Sequence, residues 1–155
     1  MRTRIIVPAA VLGAVVLGAV TMAIATGPDR HRPLRIHVIE HAITDTVIDT
    51  GPTGDSAGDL LTFHNPLFGP RDQHRVGHDQ GDCIRISPED GSWECRWVAW
   101  VAGGSITVEG PFFDAHDSVF AITGGTGAFR NARGSMALSA RPGETAFDFV
   151  YTLTG

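Results

Sequence analysis

The stretch FAITGGTGAFRNARGSMAL, Phe120 to Leu138, places three glycines in four positions, follows them with two arginines and flanks the whole with apolar residues. A phosphate-binding loop would need a Lys and a Ser or Thr after its last glycine, and a helix whose N-terminus faces the anion. Here Gly127 is followed by Ala128, Phe129, Arg130, Asn131, Ala132, Arg133 and Gly134. The flanks FAIT and SMALSA alternate in character, as strands do. The stretch therefore reads as a glycine-rich turn or bulge between two strands.

Strand character extends outward from it. LRIHVIEH, GDLLTFHN, DCIRIS, WECRWVAWV, SITVEGPFF, SVFAIT, SMALSA and FDFVYTL show period-two alternation or apolar runs. PTGDSAG, PLFGPRD, PEDG, AGG, DAHD and RPGE between them are turn chemistry. About eight short antiparallel strands predict an all-β fold, a closed barrel or a sandwich, and closure would leave no exposed edge.

The N-terminus stands apart. Arg2 and Arg4 precede an uncharged, mostly apolar run from Ile5 to Ala25 that ends Ala23-Ile24-Ala25. The pattern predicts a secretory signal over residues 1–25, a tether over 26–33 and one domain over 34–155. Left uncleaved, the run is long enough to anchor the chain in a membrane. Loss of Arg2 and Arg4 lowers Lys+Arg from 12 to 10 against 17 acidic residues, a net charge near −7. Such a field disfavours nucleic acid and anionic lipid as partners. The expected product is secreted and free of the membrane.

Export makes a disulfide the default for the only two cysteines, Cys83 and Cys95. A hairpin turning at SPEDG would set opposite one another all positions that sum to 178. Cys83 then faces Cys95, Arg85 faces Trp93 and Gly81 faces Trp97, while Asp82 meets Arg96 and Ile84 meets Glu94 on the other face. The aromatic face is the one to turn inward, and Arg85 on it would need Glu40 or a polar ligand as partner.

Seven histidines carry no metal-site spacing. His37 and His41, like His74 and His78, lie four apart, about 13 Å along a strand, where chelation needs two. Asp79 and Asp82 beside His78 have no positioned nucleophile, which argues against a hydrolase.

In order and nearly in spacing, GDLLTFHNPLFG, RVGHDQGDCIRI, SITVEGPFFDAHDSVFAITGGTGAF and FDFVYTL resemble the allene oxide cyclases, and GGTGAFRNARG equally resembles the dirigent proteins. The resemblance, from about Gly58 to Leu153, implies an eight-stranded antiparallel barrel, usually trimeric, around a hydrophobic cavity that works without a cofactor. It sets Asn65 on the family's water-holding asparagine, Leu61 and Phe63 on apolar pocket positions and Cys83 on a pocket cysteine. Trp93 and Phe112 fall where the family has a pocket phenylalanine and tyrosine. Glu40 falls on its catalytic glutamate, with His37 as the alternative, and Ala42 stands where a partner asparagine would be. The dirigent likeness offers Arg133 and Arg130 as binders of phenolic intermediates. Three readings follow: a cofactor-free cyclase or isomerase using Glu40, Asn65 and Arg85; a dirigent-like guide of intermediates made elsewhere; and a binding protein for an apolar small molecule. All predict one cavity lined by Leu61, Phe63, Cys83, Trp93, Trp97, Phe112 and Arg133.

Overall fold

The computed structural model describes residues 33–143 and 145–154. The predicted signal, and the tether but for Pro33, lie outside the described residues. Nine strands run in sequence: β1 (Leu34–His41), β2 (Thr46–Ile48), β3 (Leu60–Phe68), β4 (Arg75–Ser87), β5 (Ser92–Val101), β6 (Gly104–Phe113), β7 (Ser118–Gly125), β8 (Gly134–Ala140) and β9 (Ala146–Leu153). They form one antiparallel sheet in the order β1-β9-β8-β7-β6-β5-β4-β3-β2, and pairing of β1 with β3 closes it into an eight-stranded barrel. The three-residue β2 is the extra strand, its residues all exposed, so no alternation marked it in the sequence.

The closing seam is uneven. β1 meets β3 only at Ile39–Phe68 and Glu40–Leu67, whereas β2 pairs further along the same edge with Leu60, Leu61 and Thr62. Between these two ladders the chain from Ala42 to Asp45 has no strand partner on β3; Ala42 N–H donates to the Thr145 carbonyl, and a side chain takes up the amides of Ile43 and Thr44.

Inward positions follow the period of two. From β5 come Trp93, Cys95, Trp97 and Ala99; from β6, Ile106 and Val108; from β7, Phe120 and Ile122; from β8, Met136 and Leu138; from β9, Phe149, Tyr151 and Leu153. Trp97 is the hub, with ring centroids 4.4 Å from Phe120, 5.6 Å from Phe149 and 5.9 Å from Phe63. Its neighbour across the ladder is Gly81, where a Cβ would overlap the Trp97 backbone and the Arg96 carbonyl. The missing side chain is what lets the indole lie against β4.

The hairpin register holds as read from the sequence: Cys83 pairs with Cys95, Arg85 with Trp93, Gly81 with Trp97, Asp82 with Arg96 and Ile84 with Glu94. A bulge after Arg85 brings Ser87 opposite Ser92. Cys83 and Cys95 are disulfide-bonded across the ladder, both buried.

GGTGAF closes one end of the barrel. Its amides serve protein carbonyls: Thr126 N–H donates to Ser105, Ala128 to Gly103, Phe129 to Thr126 and Arg130 to Gly127. Gly127, at φ 59°, opens a single 3₁₀ turn that swings Phe129 under the core. With those N–H groups engaged, the loop has no cradle for phosphate.

Candidate functional site

The opposite end of the barrel, where β4, β6 and β8 finish and β3, β5, β7 and β9 begin, holds a cavity. Its walls are Leu61, Phe63, Trp97, Phe112, Leu138, Phe147 and Phe149 with the Cys83–Cys95 disulfide, and its polar part is Glu40 and Asp45. About 70 Å³ is open to the centre of a water-sized sphere. A single water needs roughly 10–15 Å³ by that measure, so the space suits a compact organic molecule.

Asn65 organises the polar part. Its Oδ1 accepts from Ile43 N–H, Thr44 N–H and Thr44 Oγ1, each at 3.0 Å, and so takes up the backbone that the broken seam leaves unpaired. The Thr44 hydroxyl is itself 2.7 Å from the His64 amide. Asn65 Nδ2 donates to Glu40 Oε1 at 2.9 Å and to Asp45 Oδ1 at 2.7 Å. These bonds fix the amide's orientation, because only its oxygen can accept from backbone N–H groups. Glu40, at the end of β1 and 5% exposed, is thereby held against the cavity, and Asp45 is held at its mouth.

Behind Glu40 stands Asp79 of β4, fully buried and paired in register with Asn65. Apart from the neighbouring Asn65 backbone and Glu40 carboxyl, its oxygens have no partner among the described groups, and the buried Trp97 Nε1 and Tyr151 hydroxyl lie beside each other without a well-formed hydrogen bond. Glu40 and Asp79 face each other closely enough to share a hydrogen bond. Two carboxyl groups can do so only if one carries a proton. Burial is the main cause that lifts Glu40 from 4.5 to about 7, opposed by the Asn65 hydrogen bond and reinforced by Asp45. Burial, then the charge of Glu40, lifts Asp79 to about 9. The Tyr151 hydroxyl is pushed up as well, first by burial and then by Asp79. A carboxyl that keeps its proton near neutrality can act as a general acid.

Arg85 lies elsewhere. Its Nε and Nη2 bond both oxygens of Asp55, at 2.7 and 2.6 Å, and its Nη1 bonds Asp114 at 2.6 Å. The guanidinium sits 4.2 Å from the Trp93 ring centroid, and the Trp93 indole N–H donates to Asp114 at 2.9 Å. Thus Arg85 and Trp93 pin the loops carrying Asp55 and Asp114 over the barrel rim, and neither lines the cavity. The expected contact from Arg85 to Glu40 is not made, because two nearer carboxylates take its donors.

Leu61, Phe63, Cys83, Trp97, Phe112 and Glu40 come together as read from the sequence, with Asn65 behind them. Arg133 does not join them. It lies exposed at the GGTGAF end, donating to the carbonyls of Thr123 and Ala132, and Arg130 is exposed beside it. His37, the alternative to Glu40, points outward to Asp148 at 2.7 Å. Sequence reasoning missed Asp79, Asp45 and Tyr151 as members of the polar cluster. The signal for Asp79 was present: it lies four residues before Cys83, hence on the same inward face.

Comparison with known proteins agrees with this architecture. A sequence model of the family described as allene oxide cyclase matches residues 28–152. Among solved structures, a pyocyanin demethylase aligns with a TM-score of 0.69 at 23% identity, over 78% of this chain and 100% of its own. A pterocarpan synthase dirigent protein aligns at 0.63 and 22%, over 78% of this chain and 87% of its own. A Diels–Alderase from Streptomyces koyangensis aligns at 0.60 and 13%, over 81% and 71%. At these identities the structural likeness is one of fold.

Proposed function

The chain belongs to the allene oxide cyclase family, and from that premise we propose that its barrel encloses a small, mainly apolar molecule and rearranges it without a cofactor, as a cyclase or isomerase does. The observation that carries the reading is Glu40: a carboxyl walled by aromatic rings, oriented by Asn65 and held at about 7, in reach of anything in the cavity. The aromatic walls enforce one folded conformer of the substrate, and Glu40 supplies a proton or hydrogen bond to an oxygen on which charge develops. Arg85 acts at a distance, by holding the rim. Export through residues 1–25 and assembly as a homotrimer belong to the same proposal; the buried disulfide suits an oxidising compartment.

The test is binding of an apolar fluorescence quencher to the three-tryptophan chain. Trp97→Ala should weaken it by roughly 1–3 kcal/mol, the scale of one aromatic contact and its area, and Phe63→Ala by less. Equal binding to both folded variants and to the wild type would mean that the barrel is packed shut. With a substrate in hand, Glu40→Gln should retain binding and lose turnover; undiminished turnover would remove Glu40 from the chemistry.

A further inference from the structure

Two carboxyl groups line the cavity, Glu40 from the end of β1 and Asp45 from the β1–β2 connection, and no basic side chain lines it. Both are bonded by one neutral group, the Asn65 amide, which compensates the charge of neither. The cations that could reach this end of the barrel are committed elsewhere. Arg85 is held at the rim by Asp55 and Asp114, one positive charge against two negative. Arg141 of the β8–β9 turn bonds Asp148 and Asp72, and His41, next to Glu40 on β1, bonds Asp72. The rest of the lining is mostly rings, those of Phe63, Trp97, Phe112, Phe147 and Phe149. Phe63 meets Trp97 at 71° and Phe112 meets Phe147 at 82°, so the aromatic wall turns corners as the sides of a box do.

An anionic ligand would meet two carboxyl groups without a counter-charge, in surroundings that screen poorly. A neutral one would cover Glu40 and compensate nothing. A protonated amine would need acceptor lone pairs in fixed places, and Glu40 Oε1 and Asp45 Oδ1 already serve the Asn65 amide. A fully alkylated nitrogen has no N–H to satisfy. Its positive charge is spread over the carbons around it, which pack against aromatic faces and answer the field of both carboxyls at once. We infer that the cavity selects a compact organic cation whose charge sits on a fully alkylated nitrogen, held between the aromatic walls and opposite Glu40 and Asp45. The inference rests on the cavity reading above and names the substrate class for it. Recognition of this kind makes and breaks no bond and needs no co-reactant.

Three molecules of one shape test it on the full chain: choline, 3,3-dimethylbutan-1-ol, in which carbon replaces the charged nitrogen, and the anion 3,3-dimethylbutanoate. Each competes with the apolar quencher of the preceding test at pH 8, above the value of about 7 at which Glu40 is held, and recovery of tryptophan fluorescence gives the affinities. Choline should bind at least about tenfold more tightly than the alcohol, and the alcohol more tightly than the carboxylate. In the Glu40→Gln/Asp45→Asn double variant, whose amide oxygens still accept from Asn65, choline should lose that advantage while the alcohol binds as before. Asp45→Asn alone, at the exposed mouth, should lose part of it. If choline gains nothing over the alcohol, if the carboxylate binds as well as choline, if either variant keeps the full preference, or if the quencher binds and none of the three displaces it, the substrate class is wrong while the cavity stands. If the quencher itself fails to bind, the cavity reading falls and this inference with it.

Discussion

Replacing both buried acids, Glu40→Gln with Asp79→Asn, should remove a pH dependence of stability that the wild-type chain carries. Glu40 is held at about 7 against 4.5 for the free group, chiefly by burial. Between those two values the folded chain keeps a proton that the unfolded chain has released. The stability this contributes is therefore fully present below 4.5 and is lost as pH rises through 7. Each tenfold change in proton affinity corresponds to about 1.4 kcal/mol, so the loss attributable to Glu40 is on the order of 3 kcal/mol. Asp79, raised to about 9 by burial and by Glu40, extends the decline toward that pH. The two titrate as a pair, and the double variant is the proper reference because it removes both steps. Asp148, held low mainly through Arg141 and His37 against the opposing effect of its burial, acts in the acid range, below this window. Urea unfolding at intervals from pH 5 to 9 gives the curves. Because Asp79 declines across the same window, the wild type should fall relative to the double variant between pH 5 and 8 by more than the roughly 3 kcal/mol ascribed to Glu40 alone. If the two curves run parallel across that range, the carboxyls are not buried together and the site's geometry is wrong.

Cys83→Ser with Cys95→Ser should lower stability by about 3 kcal/mol, the loop-closure value for a ring of this length, and finding two free thiols on labelling the unfolded, non-reduced protein would contradict the bond. Arg85→Met should cost roughly 2 kcal/mol in urea unfolding, below the 3–5 kcal/mol of a fully buried pair, because Asp55 and Asp114 are about half exposed and can be rehydrated; Arg85→Lys should fail to restore it, since one ammonium cannot bond both oxygens of Asp55 and also reach Asp114. A neutral effect of Arg85→Met would show that the rim is not clamped. The proposed trimer should appear as three times the chain mass in light scattering at micromolar concentration, and a monomer mass would refute it.

What the sequence made legible was local pairing. The SPEDG turn and the two cysteines fixed one hairpin register, and the register put Cys83, Arg85, Trp93 and Trp97 on one face, as the structure has them. It could not say how far along the barrel axis each of those side chains sits. Arg85 and Trp93 face inward yet lie at the rim, a level above the cavity, where Asp55 and Asp114 claim them. Arg133 failed for the opposite reason: after the 3₁₀ turn at Gly127–Phe129 the chain re-enters β8 only at Gly134, so alternation does not apply to residues 130–133. β2 carried no alternating pattern because neither of its faces is buried.

Axial level is decided by the seam, which joins residues far apart in sequence. Closing β1 onto β3 at Glu40–Leu67 sets Glu40 one step below Asn65, and the β3–β4 register sets Asp79 beside Asn65. Only those two long-range pairings together bring the carboxyls face to face. A slip of one residue in either would turn Glu40 or Asp79 to the outside and leave the other a lone buried acid. The same closure leaves residues 42–45 without a ladder partner, which is why the asparagine beside the acids is occupied on its oxygen by Ile43 and Thr44 and on its nitrogen by Glu40 and Asp45. One amide thus repairs the barrel through its oxygen and aims the acid through its nitrogen, so Asn65→Asp should keep the bonds from Ile43 and Thr44 and lose the hold on Glu40. It would replace a donor to Glu40 with a fourth carboxyl, whereas Asn65→Gln would keep the chemistry and lose only the reach.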